Sequence, residues 1–428
     1  MIQNQLQIEA EIISIGTELL LGQTINTDAT IIARELASVG IDLHFVQTVG
    51  DNPDRLKKAL EIALSRSQII ITTGGLGPTD DDLSKNVVAT VTGKPLTLDN
   101  RSFGKLKEMH TQREMEEIQK RQAFFPENSV ILENTIGTAP GCAVQIGQYQ
   151  WICMLPGPPH ELKPMLEKSL IPLFKEKFPL GVLYSKKLRV FGLTEAKVAQ
   201  ILGTLLNNQN PTTATYAANG EVMVRVTAKA DSLPKAKDMM APIIREIAKR
   251  LGSFLYSADV ECLEDLVVAE LRRRKLKLAV AESCTGGLVA KRITDQPGAS
   301  EIFGFGFVTY ANEAKMELLD VPADILQKYG AVSQETAKLM AQGARKAGHA
   351  DLAIAITGIA GPDGGTPTKP VGLIYIALAD GKDTYLRCLK PNKYFHTRTI
   401  NRQRAANHAL DMLRRYLLKL PIAELWPV

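Results

Sequence analysis

The sequence predicts an α/β protein: two doubly wound α/β domains joined by a small α+β module. Short apolar runs alternate with amphipathic helical patterns at both ends of the chain, as β-α-β units do. Glycine-rich turns follow two of those runs, at Thr73–Asp82 and Ala281–Gly287, where ligands of such sheets bind. The chain has 428 residues, 45% hydrophobic and 23% charged, which is too long for one ordinary core and has the composition of a globular protein.

In residues 1–180, Ile12–Ile15 reads as a strand running into Gly16-Thr17-Glu18. Asn26-Thr27-Asp28 can cap a helix whose Ile31, Ile32, Leu36 and Ala37 have helical spacing. Leu43–Val49 reads as a strand, and Pro53–Leu64 as a helix with proline in its first turn. Gln68–Thr72 is a buried strand ending at the first glycine turn. This rhythm predicts a parallel sheet covered on both faces. Residues 181–257 read differently: a strand at Lys187–Val190, a helix from Thr194 to Leu206, a hairpin of Thr213–Ala217 and Val222–Ala228 around Asn219-Gly220, a helix over Leu233–Leu251 and a strand at Phe254–Tyr256. The module reads as a spacer or dimerisation unit. In residues 258–428 the alternation resumes, with helices at Leu263–Leu271, Leu288–Thr294, Ala314–Leu319, Thr336–Ala347 (capped by Ser333) and Thr397–Leu417. Strands are expected at Leu276–Ala281, Phe305–Tyr310, Leu352–Ile356, Val371–Leu378 and Thr384–Leu389.

The formal charge of +5 is mild, because 51 basic residues face 46 acidic ones. Arg272-Arg273-Arg274-Lys275 is the densest basic run, and it falls at a helix end, where cations complement the dipole. Nothing else resembles a basic stripe, which speaks against nucleic acid as a partner. The five cysteines, Cys142, Cys153, Cys262, Cys284 and Cys388, are scattered without metal-ligand spacing, and a reduced, cytoplasmic setting fits them. Neither a basic-then-apolar leader nor an apolar run of about 18 residues is present, so no membrane role is expected.

The turn Ala281-Glu282-Ser283-Cys284-Thr285-Gly286-Gly287 joins a hydroxyl to backbone donors at a strand-to-helix junction. Gly286 and Gly287 carry no side chains to block a substrate, and their amides could stabilise an oxyanion or hold a phosphate. A serine nucleophile needs a base. No histidine of this region falls in its turns, and Lys291 would lie about 12 Å from Ser283 along a helix axis. Lys315, 32 residues after Ser283, follows another strand end and is free to fold back. Its pKa would have to fall from about 10.4 towards 7 or 8 by burial or a cationic neighbour. Tyr310 could orient the pair or stack on a planar ring. Cys284 is a rival nucleophile or a core residue. Ser283 as a helix cap and Lys315 as a surface lysine are the plain alternatives. Thr357–Gly365, with four glycines in nine residues, reads as a ligand-facing turn that begins with Thr357 and Gly358. Arg398 could clamp a phosphate or carboxylate.

Upstream, Thr73, Gly74, Gly75 and Gly77 belong to a turn able to wrap amides around a phosphate. Asp80, Asp81 and Asp82 follow as oxygen ligands for a hard cation, or as helix caps. Asp51 could reach the same crevice. Leu155-Pro156-Gly157-Pro158-Pro159-His160-Glu161 is a stiff loop preceding a helix.

On these motifs, and on Gly16-Thr17-Glu18-Leu19-Leu20-Leu21-Gly22 and Val308–Lys315, the whole chain resembles the CinA family of bacterial competence/damage-inducible proteins. The resemblance implies a molybdopterin-binding-like domain over 1–180, a KH-type module over 181–257 and a nicotinamide mononucleotide amidase domain over 258–428. The module lacks the GxxG of a nucleic-acid-clamping KH domain. By family pattern Ser283 is the nucleophile and Lys315 its base, and Tyr310, Thr357 and Arg398 handle substrate. The amidase domain would need no cofactor. The first domain would cleave ADP-ribose to AMP and ribose 5-phosphate with a divalent metal of the Mg or Co type and potassium as a further ion, Asp51 and Asp82 matching acidic positions of that fold. A homodimer or larger assembly is expected. Two other readings stay open: a pterin or nucleotide binder without turnover in its first domain, and a competence factor contacting a recombination partner.

Overall fold

The protein is described by a computed structural model over residues 8–79, 81–109, 120–218, 220–258, 260–391 and 397–422. It is an α/β protein with a KH-type module between its two α/β regions. Its residues group into two compact units, 1–184 with 228–239, and 185–227 with 240–428.

The first unit opens with β1 (Glu9–Ile15), α1 (Thr17–Leu20), α2 (Asp28–Ser38), β2 (Asp42–Val49), α3 (Pro53–Leu64), β3 (Ile69–Thr73) and α4 (Ser84–Thr92). Leu56, Ala59, Leu60 and Ala63 form the buried stripe of α3, and the Asn52 side chain caps it by accepting from Arg55 N. At α2 the cap bond comes from Asn26, whose Oδ1 accepts from Ala29 N, while the Thr27 side chain makes none. Beyond α4 come β4 (Leu96–Leu98), α5 (Asn100–Met109), β5 (Phe124–Pro126), β6 (Val130–Leu132), β7 (Gly141–Gln145), β8 (Trp151–Leu155), α6 (Pro159–Met165) and α7 (Ile171–Lys177).

Six strands form the main sheet in the order β2-β1-β3-β8-β7-β6. The neighbours β1/β2, β1/β3 and β3/β8 are parallel, and β7 pairs antiparallel with both β8 and β6. The sheet is therefore mixed, which corrects the all-parallel expectation. Only residues 146–150 separate β7 from β8, and a parallel crossover needs a dozen or more residues. Covering is also incomplete: β3 and β8 are buried throughout, but β2 is an edge strand with Phe45 and Val46 exposed.

The module follows the expected order: β9 (Val182–Val190), α8 (Glu195–Leu202), β10 (Thr212–Ala218), β11 (Glu221–Ala230), α9 (Leu233–Leu251) and β12 (Leu255–Ser257), with strand order β10-β11-β9-β12. The helix expected to reach Leu206 stops at Leu202, because Gly203 turns to φ 54° and a 3-10 turn follows. At the β10–β11 hairpin Gly220 has φ 78°, and Asn219 lies outside the described residues.

The last stretch runs α10 (Leu263–Arg274), β13 (Leu278–Glu282), α11 (Leu288–Thr294), β14 (Phe303–Val308), α12 (Asn312–Leu319), α13 (Ala323–Tyr329), α14 (Gln334–Ala347), β15 (Leu352–Gly358), β16 (Ile374–Ala379), β17 (Thr384–Leu389) and α15 (Arg398–Leu417). Helix α13, behind Pro322, had no counterpart in the sequence reading. The sheet order is β14-β13-β15-β16-β17, parallel across the first three strands and antiparallel across the last three. The basic run ends α10 as expected, Arg273 and Arg274 pairing with Glu270 and Arg272 with Glu301. Among the described residues no helix is long and apolar enough to cross a membrane.

Phe191 and Tyr256 of the module pack in the same core as α10, β13 and α15. Beneath that core lies a charged cluster. Asp411, fully buried, accepts from Arg387 Nη1 at 2.9 Å, Arg414 Nη2 at 2.6 Å and Arg415 Nε at 3.1 Å. Burial pushes the Asp411 carboxyl up, but the three guanidiniums outweigh it and hold it below the usual range. The neighbouring His408 is driven down to about 3, chiefly by burial and then by Arg387, so its imidazole is neutral. Removing the one anion would leave three buried cations without it, and Asp411→Asn is expected to cost about 3–5 kcal/mol in a urea melt. His408 binds its proton more readily unfolded than folded, so stability should fall as pH drops from about 6.5 to about 3. His408→Phe should flatten that slope.

Candidate active site

In the C-terminal sheet the chain leaves β13 towards β14 on one side, and β15 returns on the other, so the crevice opens between β13 and β15. The serine turn sits there. Thr309 N donates to Glu282 O at 2.9 Å, and Ser283 N to Ile356 O at 3.0 Å, extending both ladders to the turn. Lys315 comes from the first turn of α12, after β14. Its side chain is fully buried, and its Nζ lies 3.4 Å from Ser283 Oγ. The same Nζ donates to the carbonyls of Thr309 at 2.8 Å, Tyr310 at 3.2 Å and Ala311 at 3.3 Å. The loop leading into the helix therefore wraps its own lysine. Burial lowers the Lys315 pKa from its ordinary value, with no cationic neighbour needed.

Cys284 points into the core, 5% exposed, and burial pushes its thiol up to about 12. Gly286 and Gly287 take φ 57° and 89°, the left-handed region open to glycine. Thr285 is fully buried, with Oγ1 unpartnered among the described residues, as is the Oγ1 of Thr309. The Thr357 hydroxyl donates to Ala331 O at 2.7 Å, and Gly358 pairs with Ile374 in the ladder, so both begin the glycine loop from a fixed base. Arg398, first residue of α15, donates to Gly361 O and to the Tyr310 hydroxyl, each at 3.0 Å. This ties the glycine loop to the largely exposed Tyr310 ring.

Two residues of this site escaped sequence reasoning. Glu282 is buried, and its carboxylate accepts from Val289 N at 3.1 Å and Ala290 N at 2.8 Å. Arg402 donates to Thr285 O through Nη2 at 2.6 Å and Nε at 3.3 Å. For the first the available signal was a carboxylate at the end of an apolar strand run, directly before the serine, although its backbone partners could not be read from the sequence. For the second it was the Arg398/Arg402 spacing of four on one helix face. A separate polar cavity of about 320 Å³, lined by Arg189, Glu221, Glu264, Arg292 and Asn407 among others, does not include Ser283 or Lys315.

The N-terminal sheet has the same geometry. Its crevice opens between β1 and β3, and the loops after β1, β3 and β8 meet there. A Cβ on Gly74 would lie 2.5 Å from Ile15 O, and one on Gly157 3.6 Å from the Gly74 Cα, so these loops touch. Gly74 N is committed to Leu155 O, whereas the amides of Gly75, Leu76 and Gly77 have no acceptor among the described residues. The Thr73 side chain is buried. Asp51 Oδ2 accepts from Thr17 N and Oγ1, both at 2.8 Å, and Asp82 Oδ2 from Thr79 N at 2.8 Å and Thr79 Oγ1 at 2.6 Å. Each carboxylate keeps Oδ1 without a hydrogen bond among the described residues. Asp80 lies outside them. Among the described residues no three His, Cys, Asp or Glu side chains gather into a metal-holding group. An open carboxylate oxygen is the donor type a hard cation takes alongside water and phosphate. Asp28, read as part of a cap, is buried with Oδ1 unpartnered, and burial pushes it up to about 6. Lys85, just past Asp82, is buried too: its Nζ donates to Gln122 O at 2.7 Å, and burial lowers it to about 8.

The sequence matches the probable molybdopterin binding domain over residues 11–176, the damage-inducible protein CinA KH domain over 185–257 and the CinA C-terminal domain over 260–417. It is 49% identical over 419 residues to a CinA-like protein of Desulfovibrio desulfuricans, covering 98% of each chain. The chain belongs to the CinA family. A CinA-like protein of Kosmotoga olearia is 45% identical over 416 residues, 96% of this chain and 100% of that one. The crystal structure of the competence/damage inducible protein CihA from Agrobacterium tumefaciens is 37% identical and covers 38% of this chain and 99% of its own, with a TM-score of 0.35.

The buried Cys284 and the exposed Cys388 should separate in reactivity. Alkylation of the native protein at pH 8 is expected to label Cys388 about 100-fold faster than Cys284, read by peptide mass spectrometry.

Proposed function

We propose that this CinA-family protein is a bifunctional hydrolase of pyridine nucleotides. Its C-terminal half would deamidate nicotinamide mononucleotide, and its N-terminal half would cleave ADP-ribose to AMP and ribose 5-phosphate. The observation that carries the reading is the buried Lys315 Nζ at 3.4 Å from Ser283 Oγ. A neutral amine has two N–H groups and one lone pair. Two of the three surrounding carbonyls can take those N–H groups, which would leave the lone pair for the serine proton.

In that reading the Ser283 Oγ attacks the carboxamide carbon as its proton passes to Lys315 Nζ. The C–O bond forms and the carbonyl π pair moves onto oxygen. That pair then returns, the C–N bond breaks, and Lys315 gives the proton to the leaving nitrogen, which departs as ammonia. Water attacks the resulting ester, Lys315 takes its proton, and Ser283 recovers it when nicotinate mononucleotide leaves. Tyr310, in the loop after β14, and Arg398, at the start of α15, are joined by a hydrogen bond and would handle the substrate. In the first domain the Gly75–Gly77 amides would bind the pyrophosphate. Asp51 and Asp82 would hold a divalent cation of the Mg or Co type, which supplies charge neutralisation to the leaving phosphate. Potassium, a homodimeric assembly and a cytoplasmic setting belong to the same reading, the last resting on the five free cysteines.

Ser283→Ala and Lys315→Met should each lower ammonia release by at least about 10³-fold, with ADP-ribose cleavage unchanged. Asp82→Ala should do the reverse; metal-dependent cleavage retained in that variant would remove Asp82 from the site. The base works unprotonated, so kcat/KM for ammonia release should climb with pH through the Lys315 pKa and level off. Because burial lowers that pKa, the plateau should begin below the range where an ordinary lysine titrates.

A further inference from the structure

The amides of the serine turn can be accounted for one by one. Ser283 N goes to Ile356 O at 3.0 Å, Gly286 N to Ser283 O at 3.1 Å and Leu288 N to Thr285 O at 3.3 Å. The next two, Val289 N and Ala290 N, are the helix-start donors where an anion would ordinarily sit, and the Glu282 carboxylate already occupies them. Three donors have no acceptor among the described residues: Cys284 N, Thr285 N and Gly287 N. Thr285 and Gly287 flank Gly286, whose φ is 57° while that of Thr285 is negative, and Gly286 N bonds back to Ser283 O to close a turn over Cys284 and Thr285. A right-handed residue followed by a left-handed one turns the amides on either side into one concavity, a nest for an anionic oxygen. The fully buried Thr285 also keeps its hydroxyl unpartnered.

Resting on the amidase reading, we propose that the oxyanion of the tetrahedral intermediate is held by the N–H groups of Thr285 and Gly287, and that Glu282 and Arg402 are positioning residues for this nest. Gly286, the donor expected alongside Gly287 from the sequence, is excluded because its N–H is already bonded to Ser283 O. Glu282 and Arg402 hold the turn from opposite ends. Glu282 pins the start of α11 behind the nest, and its charge closes off the helix-start amides to any competing anion. Arg402 fixes the Thr285 carbonyl and with it the peptide planes on either side. Neither residue needs to touch substrate. Their effect falls on a charge that exists only after attack, so it belongs to kcat and not to substrate affinity.

The test uses the full-length protein and Glu282→Gln, which keeps the shape but sets an amide NH2 against one helix N–H. Ammonia release from nicotinamide mononucleotide should lose about 10- to 100-fold in kcat, less than the 10²–10³ of deleting a donor outright, with KM within about threefold. An analogue bearing an aldehyde in place of the carboxamide, which adds to serine and carries the oxyanion, should bind more weakly by the same factor as kcat. Binding of nicotinate mononucleotide should be unchanged. If Glu282→Gln has no cooperative melt, Arg402→Lys is expected to give the same split. An unchanged kcat, or a loss that appears in KM and in nicotinate mononucleotide binding, overturns the proposal. If wild type turns over, Ser283→Ala does not, and both Glu282→Gln and Arg402→Lys match wild type, the nest alone is wrong. If wild type releases no ammonia, the amidase reading fails and the nest with it.

Discussion

One buried amine organises the C-terminal half of this protein. Lys315 has lost its water, and what replaces the water is a ring of main-chain carbonyls from the three residues before its own helix, with Ser283 completing the shell. A lysine in such a place is destabilised in its charged form, and a charged ammonium on the surface would be far cheaper to maintain. The fold holds it by placing β14 beside β13, so that the loop after β14 closes over the serine turn.

The two α/β regions solve the same positional problem twice. Each puts its glycine turn at the point where successive strands leave to opposite sides, and in the N-terminal region the loops come so close that a Cβ on Gly74 would collide with Ile15 O. They differ in the charges set around that point. The C-terminal crevice has a buried lysine and two arginines on the first turns of α15. The N-terminal crevice has carboxylates, Asp51 and Asp82, tied to threonines at one oxygen and open at the other. In the proposed reading the first arrangement would serve an acyl group that becomes negative in transit, and the second a phosphate that arrives negative and takes a cation.

Much of this was legible along the chain. The bounds of α3 and α11 were readable to the residue, because Pro53 marks one start and Gly287 the other. Ser283 and Lys315 could be singled out because glycines and strand ends leave few places for such groups. The rest depended on contacts far apart in sequence. The reversal of β6 and β7 follows from short connections that the opening β-α-β-α-β rhythm conceals. Helix α13 is too short to show a period. Asp28 resembles any helix-capping aspartate until its burial is known. Glu282 and Arg402 act across 7 and 117 residues, through hydrogen bonds to backbone groups that have no signature in sequence. The carbonyl ring around Lys315 is main chain too.

The central claim is that Ser283 becomes esterified during turnover with Lys315 as its base. The most direct measurement is an acid quench of the full-length protein during steady-state hydrolysis of nicotinamide mononucleotide, followed by peptide mapping by mass spectrometry. The account predicts a nicotinoyl ribotide adduct on the peptide carrying Ser283, localised to that hydroxyl and missing from Lys315→Met. An adduct on Cys284, or turnover with no adduct while ammonia is released in a burst, would contradict it.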